Sequence, residues 1–299
     1  MATKQKSRNR RPSARDRGPR YVEPVLDPNW QSPYVPSATE REANRTAVRR
    51  FAWRRRIPAT VVVAVVVIAL MIGFVISPWL LVAGGVVGAV YGWDLYRSFE
   101  RLERTGAGVG DGVRDQTREG GSDHDRQRLA TVVDRLSATF GVDGVRAVII
   151  DDAGFNATLM RRDGGLVLYV TSALLRDFEL IELEGVVAHC LARQRLGLVE
   201  RQCIAASVST DDATRRALAG VGQCYRADEV AAAAIRYPLG LAGALHRCAD
   251  QEVAEGSYFA TAAFQMTRWS WFNPFADRST SDLGDLDDPQ LRSLALEEW

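Results

Sequence analysis

Histidine, cysteine and lysine are all scarce in this 299-residue chain: His124, His189 and His246, then Cys190, Cys203, Cys224 and Cys248, with lysine only at positions 4 and 6. Four widely spaced cysteines exclude the dense disulfide framework of a small secreted scaffold, and no Cys-x-x-Cys pair offers a metal knuckle. Free thiols in a reducing compartment fit best. Three histidines set a low ceiling on metal or acid–base chemistry. The chain also lacks a net charge, at +1, but that is a cancellation. Residues 1–57 carry 15 Lys and Arg against 5 Asp and Glu, and the remainder is acidic.

The arm at 1–57 mixes Arg, Pro, Ser and Asn with few aliphatics, too little apolar surface to offset the entropy of ordering, and is expected to be a disordered basic tail. The first apolar run begins only at Pro58, too far along for a secretory signal peptide. From Pro58 to Ile76 no residue is charged, and at 1.5 Å per residue this run spans about 28 Å, close to a bilayer's hydrocarbon core. Ser77-Pro78 breaks the helix, and Trp79 to Tyr96 follows with Asp94 as its sole charge. Residues 58–96 therefore read as a two-helix transmembrane hairpin. Arginines at 49, 50, 54, 55 and 56 precede it and Arg97, Arg101 and Arg104 follow, so the positive-inside rule places both termini and the main domain in the cytoplasm. The bias toward Arg over Lys points to a GC-rich bacterial genome, hence the bacterial cytoplasmic (inner) membrane. The expected partners of this half are the lipid bilayer and, through the basic arm, anionic headgroups; nucleic acid would be attracted only without sequence preference. Gly84, Gly88 and Gly92 recur every fourth residue, which suits packing inside the hairpin or self-association between chains. Residues 97–123 are rich in Gly and small polar residues, follow no strand, and read as a flexible linker and not a phosphate loop.

The domain at 124–299 opens with an amphipathic helix over 124–140, with Leu129, Val132, Val133, Leu136 and Phe140 on one face. Short β-rich runs at Val145–Ile150, Phe155–Met160 and Leu166–Val170 predict a small antiparallel sheet, and helical patterns fill the rest, giving an α+β domain. The order of residues then resembles a known family, the integral-membrane zinc metallopeptidases of the HtpX and CAAX prenyl protease type, which are gluzincins. The matching blocks are the strand GFNATLM, the run GGLVLYVTSALL from Gly165, ELEGVVAHCLARQRLG from Glu182 to Gly197, and CYRADEVAAAAIRYPLGLAGALHRC from Cys224. The resemblance implies a mostly helical gluzincin-like domain behind the membrane hairpin.

The family's motif letters are changed. HExxH places two zinc-binding histidines on one helix face with a glutamate base beside the first, and a glutamate from an ExxxD helix completes the ligands. Here the first motif is His189-Cys190-Leu191-Ala192-Arg193 and the second is Cys224-Tyr225-Arg226-Ala227-Asp228. Only His189 and Asp228 match, and no catalytic residue is expected from this set. Arg193 has no lone pair to offer and repels a dication. His189 and Cys224 are the two positions left for zinc, too few for a site unless other cysteines join. The sequence thus points to a pseudopeptidase without a cofactor that holds a protein or peptide partner in its vestigial cleft, with an active zinc enzyme of rearranged ligands as the alternative. In the first reading His189 donates to Asp228, and Arg193 is neutralised by Asp228 or Glu184.

Overall fold

The computed structural model describes residues 34–73, 77–208, 211–277 and 285–299, and residues 34–299 gather into one compact unit. The expectation of disorder for residues 1–33 lies outside the described residues. The chain is mostly helical, with one three-stranded sheet.

Two long helices come first, α1 (Ala38–Ile72) and α2 (Trp79–Ala107). Both are long and apolar enough to cross a membrane, and Val61, Val62, Val65, Val82, Val86 and Val90 are exposed along them. They pack side by side, with the Thr60 and Tyr91 hydroxyls 2.9 Å apart and Arg56 paired with Asp94 at 3.5 Å. Of the three spaced glycines, only Gly84 faces the other helix, against Leu70; a Cβ on Gly88 or Gly92 would meet nothing among the described residues.

The helix starts inside the stretch expected to be a disordered arm. Ser37 caps it by accepting from the Glu40 N–H, and its first half docks on the rest of the fold. Asn44 is buried, donates to the Leu196 carbonyl at 3.0 Å and accepts from Arg201 at 2.7 Å, while Glu40 pairs with Arg226 at 3.0 Å. A few specific polar anchors order a segment that composition alone reads as unstructured. The expected linker at 97–123 is ordered as well: α2 runs to Ala107 and α3 (Val109–Gln116) follows. Gly106, Gly110, Gly120 and Gly121 among its glycines serve close approach. A Cβ on Gly110 would lie 2.7 Å from the Arg161 carbonyl oxygen, and the Gly110 carbonyl accepts from the Tyr169 hydroxyl at 3.0 Å.

Helix α4 (Asp123–Phe140) has the buried face expected of it, a reciprocal Ser122–Asp125 cap and Gly141 in the left-handed region at its end. The strands β1 (Val145–Ile150), β2 (Ala157–Arg162) and β3 (Gly165–Thr171) are ordered β1-β3-β2. The sheet is mixed, which corrects the antiparallel expectation. Asp163 and Gly164 take positive φ, as a tight hairpin requires, so β2 and β3 are antiparallel. Between β1 and β2, however, Asp152 accepts from the N–H groups of Gly154 and Tyr258 and from the Ser257 hydroxyl. The loop is thus tied to Ser257 and Tyr258 and is not closed as a tight hairpin; β2 lies on the far side of β3, and β1 pairs parallel with β3.

The helices after the sheet are α5 (Ser172–Asp177), α6 (Leu180–Arg195), α7 (Leu198–Val208), α8 (Asp212–Ala219), α9 (Gln223–Ile235), α10 (Pro238–Asp250), α11 (Ala262–Thr267) and α12 (Pro289–Glu297). Helix α6 is the axis of the domain. From Gly185 to Arg193 every residue is buried, with α4 and β2, α7, α9 and α10 packed around it.

Candidate functional site

Three helices bring their charged residues to one buried point. Helix α6 carries His189 and Arg193 one turn apart and therefore on one face, both fully buried. Helix α9 carries Cys224 and Asp228 with the same spacing, and its first turn is fixed by Asp287, which accepts from the N–H groups of Gly222 at 2.9 Å and Cys224 at 3.0 Å. Helix α12, started by the Asp288 cap and Pro289, sends Arg292 inward.

Asp228 is the hub. It accepts from Arg292 Nε at 2.6 Å and Nη2 at 3.0 Å, and its Oδ1 lies 2.7 Å from Nδ1 of His189. Arg292 also donates to the Phe272 carbonyl at 2.6 Å, and its guanidinium sits 5.0 Å from the Phe272 ring, which meets the His189 ring edge-on at 5.0 Å.

Burial pushes the His189 pKa down to about 4; the neighbouring Asp228 carboxylate opposes this, and the Arg292 and Arg193 charges reinforce it. The ring is therefore neutral at pH 7, with its Nδ1 proton on Asp228 and the Nε2 lone pair free. Burial alone would raise the Asp228 pKa, but Arg292 and then His189 outweigh it, so the carboxyl stays ionised. For Arg292, burial would lower the pKa and Asp228 more than restores it.

Arg193 is held differently from either expectation. Its Nε and Nη2 donate to the single side-chain oxygen of Gln202 on α7, the former at 2.9 Å, and Nη1 has no hydrogen-bond partner among the described residues. Asp228 is committed to Arg292 and His189, and Glu184 pairs with Arg135 on α4, so neither neutralises Arg193. Burial lowers its pKa, and Cys190, Cys224 and Cys203 are the groups whose fields oppose that. The same burial raises the thiols: Cys190 to about 11, Cys248 to about 12, and Cys203 and Cys224 upward as well.

These residues do not fit a zinc ion. Zinc needs at least three protein donors, and the position one turn from His189 is held by Arg193, which has no lone pair to offer and repels a dication. His189 Nε2 is buried without a hydrogen-bond partner, and no group of three or more His, Cys, Asp or Glu side chains among the described residues is placed to hold a metal. The cluster as it stands is an electrostatic tie between three helices. Burial keeps the Cys190 thiol protonated, so it is not an activated nucleophile.

The structure places His189 and Arg193 on one buried face of α6 and His189 against Asp228 of α9, with Cys190 and Cys224 buried on the same two helices. Arg292, Gln202 and Asp287 were not singled out by sequence. Pro289 after Asp288 was a legible helix start, but one more arginine in an arginine-rich chain carries no signal. The other two histidines are exposed: His124 lies in the first turn of α4, and His246 Nε2 is 2.6 Å from Glu297. No family model matches the chain, and no curated protein does either.

Proposed function

We propose that this protein is a membrane-anchored, non-catalytic relative of the HtpX-type metallopeptidases, which keeps the fold and has replaced the metal centre by a buried charge network. The observation that carries this reading is Arg193. It occupies the position of the second zinc-binding histidine, fully buried, and is fastened to Gln202. A cation fixed there takes the place of the metal's charge, and the protonated thiol of Cys190 stands where the general base belongs. Helices α1 and α2 are the membrane anchor in this reading, and the domain acts on the cytoplasmic face by binding a polypeptide or partner protein. Because the residues of the former centre are covered, such a partner meets the surface around them.

The unpartnered Nε2 of His189 favours one second reading, an active zinc peptidase with rearranged ligands. Incubating the detergent-solubilised full chain with an unfolded polypeptide in the presence of zinc separates the two. The non-catalytic reading expects no cleavage; cleavage abolished by a chelator and by His189→Ala overturns it.

A further inference from the structure

The seam between the anchor helices and the domain contains a cavity of about 380 Å³. Its walls come from three elements: Val48, Phe51, Ala52, Arg55 and Arg56 of α1, Ser98 and Leu102 of α2, and Val208 of α7. The lining is apolar with two guanidinium groups and no acid. We propose that this cavity is a binding site for the headgroup of an anionic phospholipid.

Position is the first argument, and it rests on α1 and α2 spanning a membrane. Arg55 and Arg56 lie about 3–5 Å along the helix from Pro58, where the uncharged run begins, and Phe51 lies about 10 Å from it. A headgroup layer is roughly 5–8 Å thick on each side of the hydrocarbon, so the two guanidinium groups stand at the depth where phosphates lie, with the Phe51 and Val48 end of the cavity on the domain side of that layer. Charge is the second. Arg56 shares Asp94 with Arg101, so one carboxylate faces two guanidinium groups, and Arg55 forms no ion pair among the described residues. An arginine fork matches a phosphodiester, while Phe51, Ala52, Leu102 and Val208 offer an apolar wall to the carbon face of the headgroup. The third argument removes the nearest competitor. Residues 1–33 of the same chain carry 8 Lys and Arg against 3 Asp and Glu, the same sign as the cavity, and are repelled from it. A walled site differs from general attraction of a basic segment to a membrane in selecting shape and in binding one lipid per chain.

The test uses the purified full chain in a non-ionic detergent, with phosphatidylglycerol, phosphatidylcholine or inorganic phosphate added, read by native mass spectrometry and thermal unfolding. Phosphatidylglycerol is expected to remain bound at one per chain and to raise Tm, with neither phosphatidylcholine nor phosphate doing so. Arg55→Gln with Arg56→Gln should weaken the effect about tenfold or more. Ala52→Trp, which fills the cavity and keeps both charges, should do the same; Val208→Phe serves if that variant fails to fold. Arg97→Gln with Arg104→Gln, equally basic and outside the cavity, should leave it intact. Equal loss in that control, survival of binding in the filled variants, an equal shift with phosphate alone, or displacement of the lipid by a peptide of residues 1–33 overturns the site. Release of the wild-type chain from membranes by alkaline carbonate overturns the spanning reading itself, whereas retention without a lipid-specific shift overturns only this inference.

Discussion

Asp228 and Arg292 stand 64 residues apart in sequence and hold each other through two hydrogen bonds at 2.6 and 3.0 Å, with the carboxylate 2 % exposed and the guanidinium 0 %. A pair so buried contributes little net stability compared with apolar residues of the same shape, but removing one member leaves an unpaired charge in the interior. Asp228→Ala and Arg292→Met are each expected to cost about 3 kcal/mol or more, and the double substitution to cost less than the sum. Chemical denaturation of the four proteins measures the coupling; additive losses would mean that the two charges find other partners.

His189 gives the fold a defined response to acid. Its pKa is about 4 in the folded protein, below the ordinary 6.5, so between those values the unfolded chain binds a proton that the folded one does not. Stability therefore rises with pH from about 4 to 6.5 and is lost on acidification through the same window, by up to about 3 kcal/mol from this group. Asp228, with its pKa lowered, adds its own loss only below the usual carboxylate range. In unfolding curves taken across this window, His189→Gln should flatten the slope. An unchanged slope would show that the ring is already charged or reachable by water.

Arg193 and Gln202 form a unit in which a buried cation meets a neutral amide, with no ion pair to Arg193 among the described residues. Removing Gln202 alone, as Gln202→Leu, strands the guanidinium and should destabilise by roughly 2–3 kcal/mol. Arg193→Met combined with Gln202→Leu should match the parent or exceed it, since an apolar pair of similar size carries no desolvation cost. A double variant weaker than either single one would indicate that Arg193 holds something in place through Nη1.

Much of this architecture was legible because its signals are local. The 124–140 helix shows its apolar face, Asp163-Gly164 marks the hairpin, and the spacing of His189 with Arg193 and of Cys224 with Asp228 puts each pair on one helix face. What stayed hidden depends on distant partners. Nothing near Asn44 announces the Leu196 carbonyl that receives it, so 38–57 read as tail. Gly106 and Gly110 look like linker residues until the surfaces they admit are known. Helix α7 sets its polar residues Glu200, Arg201 and Gln202 in a row and not at helical intervals, so it lacks the period that reveals a half-buried helix, and with it Gln202 was missed. The loop after β1 is tied down by Asp152 accepting from Ser257 and Tyr258, more than 100 residues away and beyond any turn signal, so the order β1-β3-β2 was not read from the hairpin-like spacing.

The four thiols offer a check on burial that needs no substitution. All are free, buried and held protonated, so an aromatic disulfide reagent at pH 8 should modify the folded chain at least about 100-fold more slowly than the unfolded chain. Rapid labelling of Cys190 or Cys224 in the native state would show that the cluster opens to solvent.

The central claim is that a buried guanidinium has taken over the place of a metal. Elemental analysis of the full chain, purified without chelators in the presence of zinc, tests it most directly. The account predicts well under one zinc per chain, with no change on His189→Ala; one zinc per chain that disappears in that variant would contradict it.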